Sequence, residues 1–197
     1  MVLLIVAFLF GSAYFSRRNQ MAIKKEAVNA AWAQVDVVLQ RRADLIPNLV
    51  QTVKGYAVQE QTVFGDIAAA RAAMMGAKTP ADKIAANGQL DSALSRLMVI
   101  VENYPQLKSN ENFMRLQDEL AGTENRIAVE RKRYNDSVQD YNTYIQQFPA
   151  SMFAASAGFK PNNAYFTATE ASREVPHVNF ATPTPVPQAS PQPAPAR

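Results

Sequence analysis

The stretch that decides the fold is residues 110–148, NENFMRLQDELAGTENRIAVERKRYNDSVQDYNTYIQQF. Large apolar side chains recur in it at a strict seven-residue step: Phe113, Leu120, Ile127, Tyr134, Tyr141 and Phe148. This period predicts one long helix of about 58 Å, at 1.5 Å per residue, with a single apolar face. Because a helix gains most of its stability by burying such a face, the rest of the chain must supply partner helices.

The composition favours a single all-α domain with appendages. Nearly half of the 197 residues are hydrophobic, with much alanine, and no alternating runs of Val, Ile and Thr between tight turns indicate a sheet. Cysteine is absent, which excludes disulfides and thiolate chemistry. The net charge of +3 is small and dispersed, so we expect no nucleic-acid partner.

The N-terminus is an apolar run, residues 2–15. As a helix it would extend about 21 Å, which is shorter than a hydrocarbon core of about 30 Å, so a span also needs flanking residues or local thinning of the bilayer. Small residues at Gly11-Ser12-Ala13 would suit cleavage of a signal peptide, but the charged segment that should precede its apolar part is missing. We therefore predict a transmembrane anchor at residues 1–18.

Basic residues follow the apolar run: Arg17, Arg18, Lys24 and Lys25. By the positive-inside rule they predict a single-pass membrane protein whose downstream domain is cytoplasmic. The alternative is a periplasmic or extracytoplasmic domain.

Three further helices are predicted before the long one. The first covers residues 21–42, the second residues 46–76 and the third residues 80–104, where Thr79-Pro80-Ala81-Asp82 is a compact start signal. The second begins at Pro47, with Asp44 as its cap, because proline suits a first helical turn better than a helix interior. Short connections between these helices predict an up-and-down four-helix bundle of long antiparallel helices at residues 19–148. If Pro47 only kinks one helix, the bundle has three members.

The C-terminal part divides into two segments. Residues 149–180 contain enough aromatic side chains to pack irregularly on the bundle, with helix expected only near residues 150–158. In residues 181–197 proline alternates with Thr, Ala, Gln and Ser, which predicts a disordered spacer.

No constellation for catalysis, metal or cofactor binding emerges. The only histidine, His177, lies outside the predicted bundle, which excludes a di-iron site and His-dependent nucleophiles. Acidic residues could still meet in pairs and act as a carboxylate-only hydrolase: Asp36, Glu60, Glu119, Glu124 and Glu130. Acids on a helical bundle are more often solvated or paired with arginine. We expect no enzymatic activity, no cofactor and no small-molecule substrate.

Charged residues cluster at two places on the predicted helices. Asp36, Arg41, Arg42 and Asp44 surround the end of the first helix, while Glu124-Asn125-Arg126 occupy one turn of the long helix. They could form a buried network that fixes the helix register, or a surface for a protein partner. The basic run Arg131-Lys132-Arg133 points around the helix axis and is expected to form a solvated rim.

Several motifs resemble those of the LemA family of bacterial membrane proteins: AWAQVDV (31–37), RRADLIPNLV (41–50), VKGY (53–56), ENYPQLK (102–108), GTENRI (122–127), RYN (133–135) and FP (148–149). The resemblance covers about residues 1–180; the short anchor and the Pro-rich tail depart from it. It implies a single-pass membrane protein with a helical-bundle domain and no catalytic activity. Relatives include a protein needed to build magnetosome membranes, and family members often accompany membrane metalloproteases of the heat-shock type.

The candidate structural or interaction residues lie mostly in these motifs: Trp32, Asp36, Arg41, Arg42, Asp44, Pro47, Asn48, Tyr56, Tyr104, Glu124, Asn125, Arg126, Tyr134 and Asn135. Trp32 belongs to the apolar stripe of the first helix with Val28, Val35 and Leu39, so we expect its indole in the core against the long helix. The leading functional hypothesis is a scaffold or interaction module in membrane organisation or stress response, with a protein partner or self-assembly. The alternative is an accessory or substrate-presenting subunit of a membrane metalloprotease.

Overall fold

A computed structural model describes residues 1–167, and within them every regular element is a helix. The elements are α1 (Val2–Lys54), α2 (Gln61–Gly76), α3 (Pro80–Val101), α4 (Pro105–Lys108), α5 (Glu111–Gln146) and α6 (Ala150–Ala154). The all-α prediction is confirmed. The predicted tail at 181–197 and His177 lie outside the described residues.

The helix ends follow the local signals in the sequence. Thr79 Oγ1 accepts a hydrogen bond from the Asp82 amide at 3.1 Å, so the predicted start of α3 is confirmed. Asn110 Oδ1 does the same for the Phe113 amide at 3.0 Å and caps α5. These side chains satisfy amides that the first turn of a helix otherwise leaves unpaired.

The predicted helix boundary at Pro47 is wrong. Pro47 lies inside α1, which runs without interruption from Val2 to Lys54, so Asp44 caps nothing and residues 21–42 are not a separate helix. A proline in a helix removes one amide and leaves the carbonyl four residues earlier without a donor. Here that carbonyl belongs to Ala43, and it accepts a hydrogen bond from Arg71 Nε of α2 at 2.8 Å. The side chain of Arg71 thus replaces the missing amide.

The reversal of the chain comes later, at residues 55–60. The amides of Tyr56 and Ala57 both bond to the carbonyl of Val53, at 3.0 and 2.9 Å, and Ala57 is buried. The continuous helix predicted for residues 46–76 is therefore divided between the end of α1 and α2. Its predicted end at Gly76 is confirmed.

Helices α1 and α5 form a long antiparallel pair. Contacts along it join residues whose numbers decrease in one helix as they increase in the other: Trp32 lies against Tyr134, and Arg42 against Glu124. Of the predicted stripe on α5, the residues Phe113, Ile127, Tyr134 and Tyr141 are buried and Leu120 is half-buried. Phe148 departs from the prediction: it lies beyond the end of α5 and is 80% exposed.

Helices α2 and α3 form a hairpin that packs beside the C-terminal half of α1. Within the hairpin, Arg96 Nη1 contacts Asp66 Oδ2 at 2.8 Å. Lys83 of α3 pairs with Asp36 of α1, and Arg71 of α2 reaches Ala43. The hairpin thus contacts α1 through both of its helices.

Among residues 1–167, no helix has an apolar stretch long enough to cross a bilayer. The transmembrane anchor predicted at residues 1–18 is therefore not supported by the fold. The side chains at residues 1–10 are exposed.

The hydrogen bond from Arg71 to Ala43 predicts coupling between Arg71 and Pro47. Arg71→Met should lower the free energy of unfolding by about 1–3 kcal/mol, because the part-buried carbonyl of Ala43 loses its donor. With Pro47→Ala the backbone amide at position 47 can supply that bond, so the same Arg71 substitution should then cost about 1 kcal/mol less. Urea unfolding of the four variants in detergent, followed by circular dichroism, gives the coupling energy. Strictly additive effects would contradict the proposed replacement.

Candidate interaction surfaces

A part-buried ionic cluster connects three helices. Arg42 of α1 contacts two carboxylates through Nη1: Asp91 of α3 at 2.6 Å and Glu124 of α5 at 2.7 Å. Arg131, two turns along α5, lies 3.6 Å from Asp91 and 3.9 Å from Glu124. Asn87 donates to Asp91 from its amide at 3.0 Å. Two cations thus alternate with two carboxylates where α1, α3 and α5 meet.

Arg42 is the most enclosed member of this ionic cluster, with 8% of its surface exposed. The contacts of its Nη1 are ion pairs by distance without the alignment of good hydrogen bonds, and its Nε finds no acceptor among residues 1–167. Removing a charge from water without full compensation costs stability, so the presence of this cluster is not by itself evidence of a net stabilising contribution.

The cluster opens onto a groove of about 450 Å³ between α3 and α5, whose lining includes Leu94, Met98 and Leu120. Asp91 and Glu124 both line it, which is the paired-acid arrangement a carboxylate hydrolase needs. The guanidinium of Arg42 occupies the space between the two acids, and a substrate atom would have to lie there. The arrangement therefore suits an ion-pair network better than a reaction.

A second cluster is aromatic and joins α1, α5 and the segment after α6. The ring of Trp32 lies edge-on to Tyr134, at 5.2 Å between centroids, and is stacked on Phe166 at 6.2 Å. Tyr134 is fully buried, and burial raises its pKa. Trp32 itself is only half-buried, so it lies at the edge of the core.

Asparagine side chains of α5 bind the backbone of the following segment. Asn135 donates from Nδ2 to the Phe166 carbonyl at 2.8 Å and accepts from the Phe166 amide at 3.0 Å. Asn142 makes the same pair of bonds with Asn162, at 2.7 and 2.8 Å. Residues 159–166 are thus held against α5 by two pairs of side-chain-to-backbone hydrogen bonds as well as by aromatic packing.

A third surface, which we call the outer face, lies between α1 and α5 around a groove of about 440 Å³. Its residues are Gln34, Val37, Val38, Asn125, Arg126, Val129 and Glu130. Asn125 and Arg126 are exposed, although they directly follow Glu124 in the sequence. Val37 is 66% and Val129 51% exposed, so apolar and polar groups alternate on this surface.

The remaining candidate residues have local roles or none. Asp44 accepts a hydrogen bond from Gln40 on its own helix, and the Asn48 carbonyl accepts one from Thr52. Arg41 is exposed and has no ion pair within residues 1–167. Tyr56 accepts a hydrogen bond from Asn110 at 3.0 Å and, with Tyr104, lines a cavity of about 340 Å³ at the far end of the α1–α5 pair.

Several participants were not identified from the sequence. Asp91 stands between Leu90 and Leu94 of the apolar stripe, and Asn87 lies one turn earlier. The available signal for their inward position was a polar residue beside an apolar stripe. Arg131 was expected on a solvated rim; it instead turns inward, with 25% of its side chain exposed against 77% for Lys132. The sequence Arg131-Lys132-Arg133 does not reveal which of the three residues faces an acid on another helix.

Metal coordination has little basis in the described part of the chain, where no group of three or more His, Asp or Glu side chains comes close enough to hold an ion. No residue in residues 1–167 is therefore assigned to a cofactor.

Comparison with known proteins gives one family and a few relatives. A model of the LemA family matches residues 31–180. Magnetosome protein MamQ 2 of Paramagnetospirillum magneticum is 29% identical over 188 residues, covering 81% of this chain and 67% of the relative. Magnetosome protein MamQ of Magnetospirillum gryphiswaldense is 29% identical over 185 residues, with the same coverage. Protein LemA of Metamycoplasma hominis is 23% identical over 168 residues, covering 84% of this chain and 75% of that protein.

The ionic cluster predicts opposite outcomes at two adjacent arginines. Arg42→Met should lower the free energy of unfolding by about 2–3 kcal/mol, because it leaves Asp91 and Glu124 facing each other; their partial exposure keeps the loss below that of a fully buried pair. Arg41→Met removes the same charge from an exposed neighbour and should change it by less than about 0.5 kcal/mol. Thermal and urea unfolding measure both. A loss for Arg42→Met as small as that expected for Arg41→Met would contradict a contribution of Arg42 to stability.

The only tryptophan makes the docking of residues 159–166 measurable. Asn135→Ala removes both bonds to the Phe166 backbone, so Phe166 should leave Trp32, whose emission should shift to longer wavelength and become easier to quench with acrylamide. Asn125→Ala, on the same helix but exposed, should leave the spectrum unchanged. An unaltered spectrum in the Asn135 variant, with intact helical circular dichroism, would contradict this role of Asn135.

Proposed function

The chain belongs to the LemA family, and from that membership we propose that it is a non-enzymatic, membrane-anchored helical module that assembles with itself or with another membrane protein. The long helices α1, α2, α3 and α5 act together in this module as one up-and-down bundle. The names of its magnetosome relatives refer to a membrane-bounded compartment, which supports a role in membrane organisation.

The observation that carries this proposal is the outer face. In the motif Gly122-Thr123-Glu124-Asn125-Arg126-Ile127, Thr123 and Ile127 are buried and Glu124 pairs with Arg42. Asn125 and Arg126 have no such internal task in the described residues, yet they border exposed Val37 and Val129. Apolar side chains with an arginine and an amide beside them are typical of a protein contact surface.

Attachment to the membrane is assigned to the apolar N-terminal part of α1. Residues 2–15 carry no charged side chain, and Arg17 and Arg18 follow at once. The positive-inside rule then favours a cytoplasmic position for the helices downstream.

Protease accessibility tests this orientation. Protease added to intact spheroplasts should leave the chain from Trp32 onward uncut, and permeabilised cells should lose it. Cleavage within the α2–α3 hairpin in sealed spheroplasts would place the bundle outside and reverse the assignment.

Photo-crosslinking in native membranes tests the function itself. A benzoylphenylalanine in place of Val129 on the outer face should yield a specific crosslinked product, and the same group in place of Val99, a valine of α3 that is 69% exposed, should not. A product containing two copies of this chain supports the scaffold, and a product with a membrane metalloprotease supports the accessory alternative. If the Val129 variant gives no product that the Val99 control lacks, the outer face is not a contact surface.

A further inference from the structure

The end of the α1–α5 pair nearest the N-terminus carries a second apolar surface that the long helices do not explain. Helix α6 lies there against α1: Ala150 and Ala154 are buried, and the Phe153 ring meets Tyr14 edge-on at 5.7 Å between centroids. Helix α6 therefore lies beside the last turn of the apolar N-terminal run, where residues 2–15 end.

Large apolar side chains on this end face solvent. Phe148 is 80% exposed in the turn before α6, Met152 is 60% exposed on α6, and Phe15 is 63% exposed on α1. The seven-residue repeat of α5 would have placed Phe148 in the core, but the helix ends two residues earlier. Phe148 and Met152, four residues apart, form an apolar patch beside the end of the N-terminal run, and exposed apolar surface of this kind marks contacts with a partner or a membrane.

The charged residues nearest the patch in sequence are mostly basic. Residues 1–25 and 141–167 carry Arg17, Arg18, Lys24, Lys25 and Lys160, and the nearest acids, Glu26 and Asp140, directly flank these ranges. Elsewhere along the described chain acids and bases are interspersed, for example in the pairs Lys132–Asp136 and Arg133–Glu130. Aromatic and apolar side chains within a mostly basic surface fit the headgroup layer of an anionic bilayer.

We propose that Phe148 and Met152, carried by the turn before α6 and by α6 itself, insert into the interfacial layer of an anionic membrane beside the N-terminal part of α1. The proposal rests on the membrane attachment described above and adds a second contact to it. Because α6 packs on α1 at Tyr14, the two contacts lie at the same end of the molecule, and the basic residues meet the headgroups of that leaflet.

A lipid surface suits this patch better than a second copy of the chain. Two copies meeting here would bring the basic side chains of both together, and among residues 1–167 the nearest acids in sequence to neutralise them are Glu26 and Asp140. Like charges brought together in an interface are strongly unfavourable. Anionic headgroups supply negative charge, and the adjoining acyl chains of the lipids accommodate the apolar side chains.

Environment-sensitive labelling tests the proposal, and the absence of cysteine makes each site unique. The full chain carries Met152→Cys, Phe10→Cys or the control Met114→Cys, a 44% exposed methionine at the opposite end of α5. Each is labelled with the fluorophore NBD and reconstituted into vesicles of phosphatidylcholine with phosphatidylglycerol, with or without brominated acyl chains. The label at position 152 should shift to shorter wavelength and be quenched several-fold more by brominated lipid than the label at position 114.

The three positions separate the possible failures. Quenching at position 10 but not at position 152 overturns the second contact and leaves the attachment by α1 intact. Quenching at position 152 alone supports the second contact and contradicts the proposed attachment by the N-terminal part of α1. Quenching at neither position overturns both. A blue shift at position 152 without quenching by brominated lipid means that protein covers the patch, which also overturns the proposal.

Discussion

One hydrogen bond, from Arg71 Nε to the Ala43 carbonyl, allows the longest helix to continue where its sequence would be expected to end it. Pro47 removes the amide that this carbonyl would normally receive, and a buried carbonyl without a donor is costly. The arginine that supplies the donor belongs to α2. One hydrogen bond therefore satisfies a carbonyl inside α1 and also joins α2 to α1. The contacts that α1 makes on both sides of Pro47 are carried by one helix.

Since α1 continues past Pro47, its last turns can pair with α5 near Tyr56 and Asn110 while its first turns pair with α6 near Tyr14. The ionic cluster of Arg42, Asp91, Glu124 and Arg131 then connects α1, α3 and α5. Within residues 1–167 these contacts use side chains other than Asn125, Arg126, Val37 and Val129 of the outer face.

Features that depend on local spacing were predictable from the sequence. The stripe on α5 and the caps at Thr79 and Asn110 follow from periodicity and from side chains that bond to nearby amides. Arg42 and Glu124 were both candidates because charged residues recur in the motifs, although the second carboxylate that Arg42 contacts, Asp91, comes from α3.

Features that depend on distant residues were not predictable. The sequence around Pro47 contains no sign of Arg71, which follows twenty-four residues later and compensates for the proline only after the chain has reversed. Arg131 resembles its exposed neighbours until α3 brings Asp91 to it. Phe148 continues the repeat of α5 in sequence but falls beyond its last turn, so the same spacing that predicted the core gave the wrong position for this ring.

The central claim is that α1 is one continuous helix that joins the apolar N-terminal part to the bundle and its outer face. The most direct test is a distance across the helix, measured by double electron–electron resonance between spin labels at Ser16→Cys and Gln51→Cys in the reconstituted full chain. A continuous helix of 35 residue steps predicts a narrow distribution near about 52 Å. A broad distribution, or a mean below about 40 Å, would mean that α1 bends or breaks at Pro47 or before it, and would contradict the account.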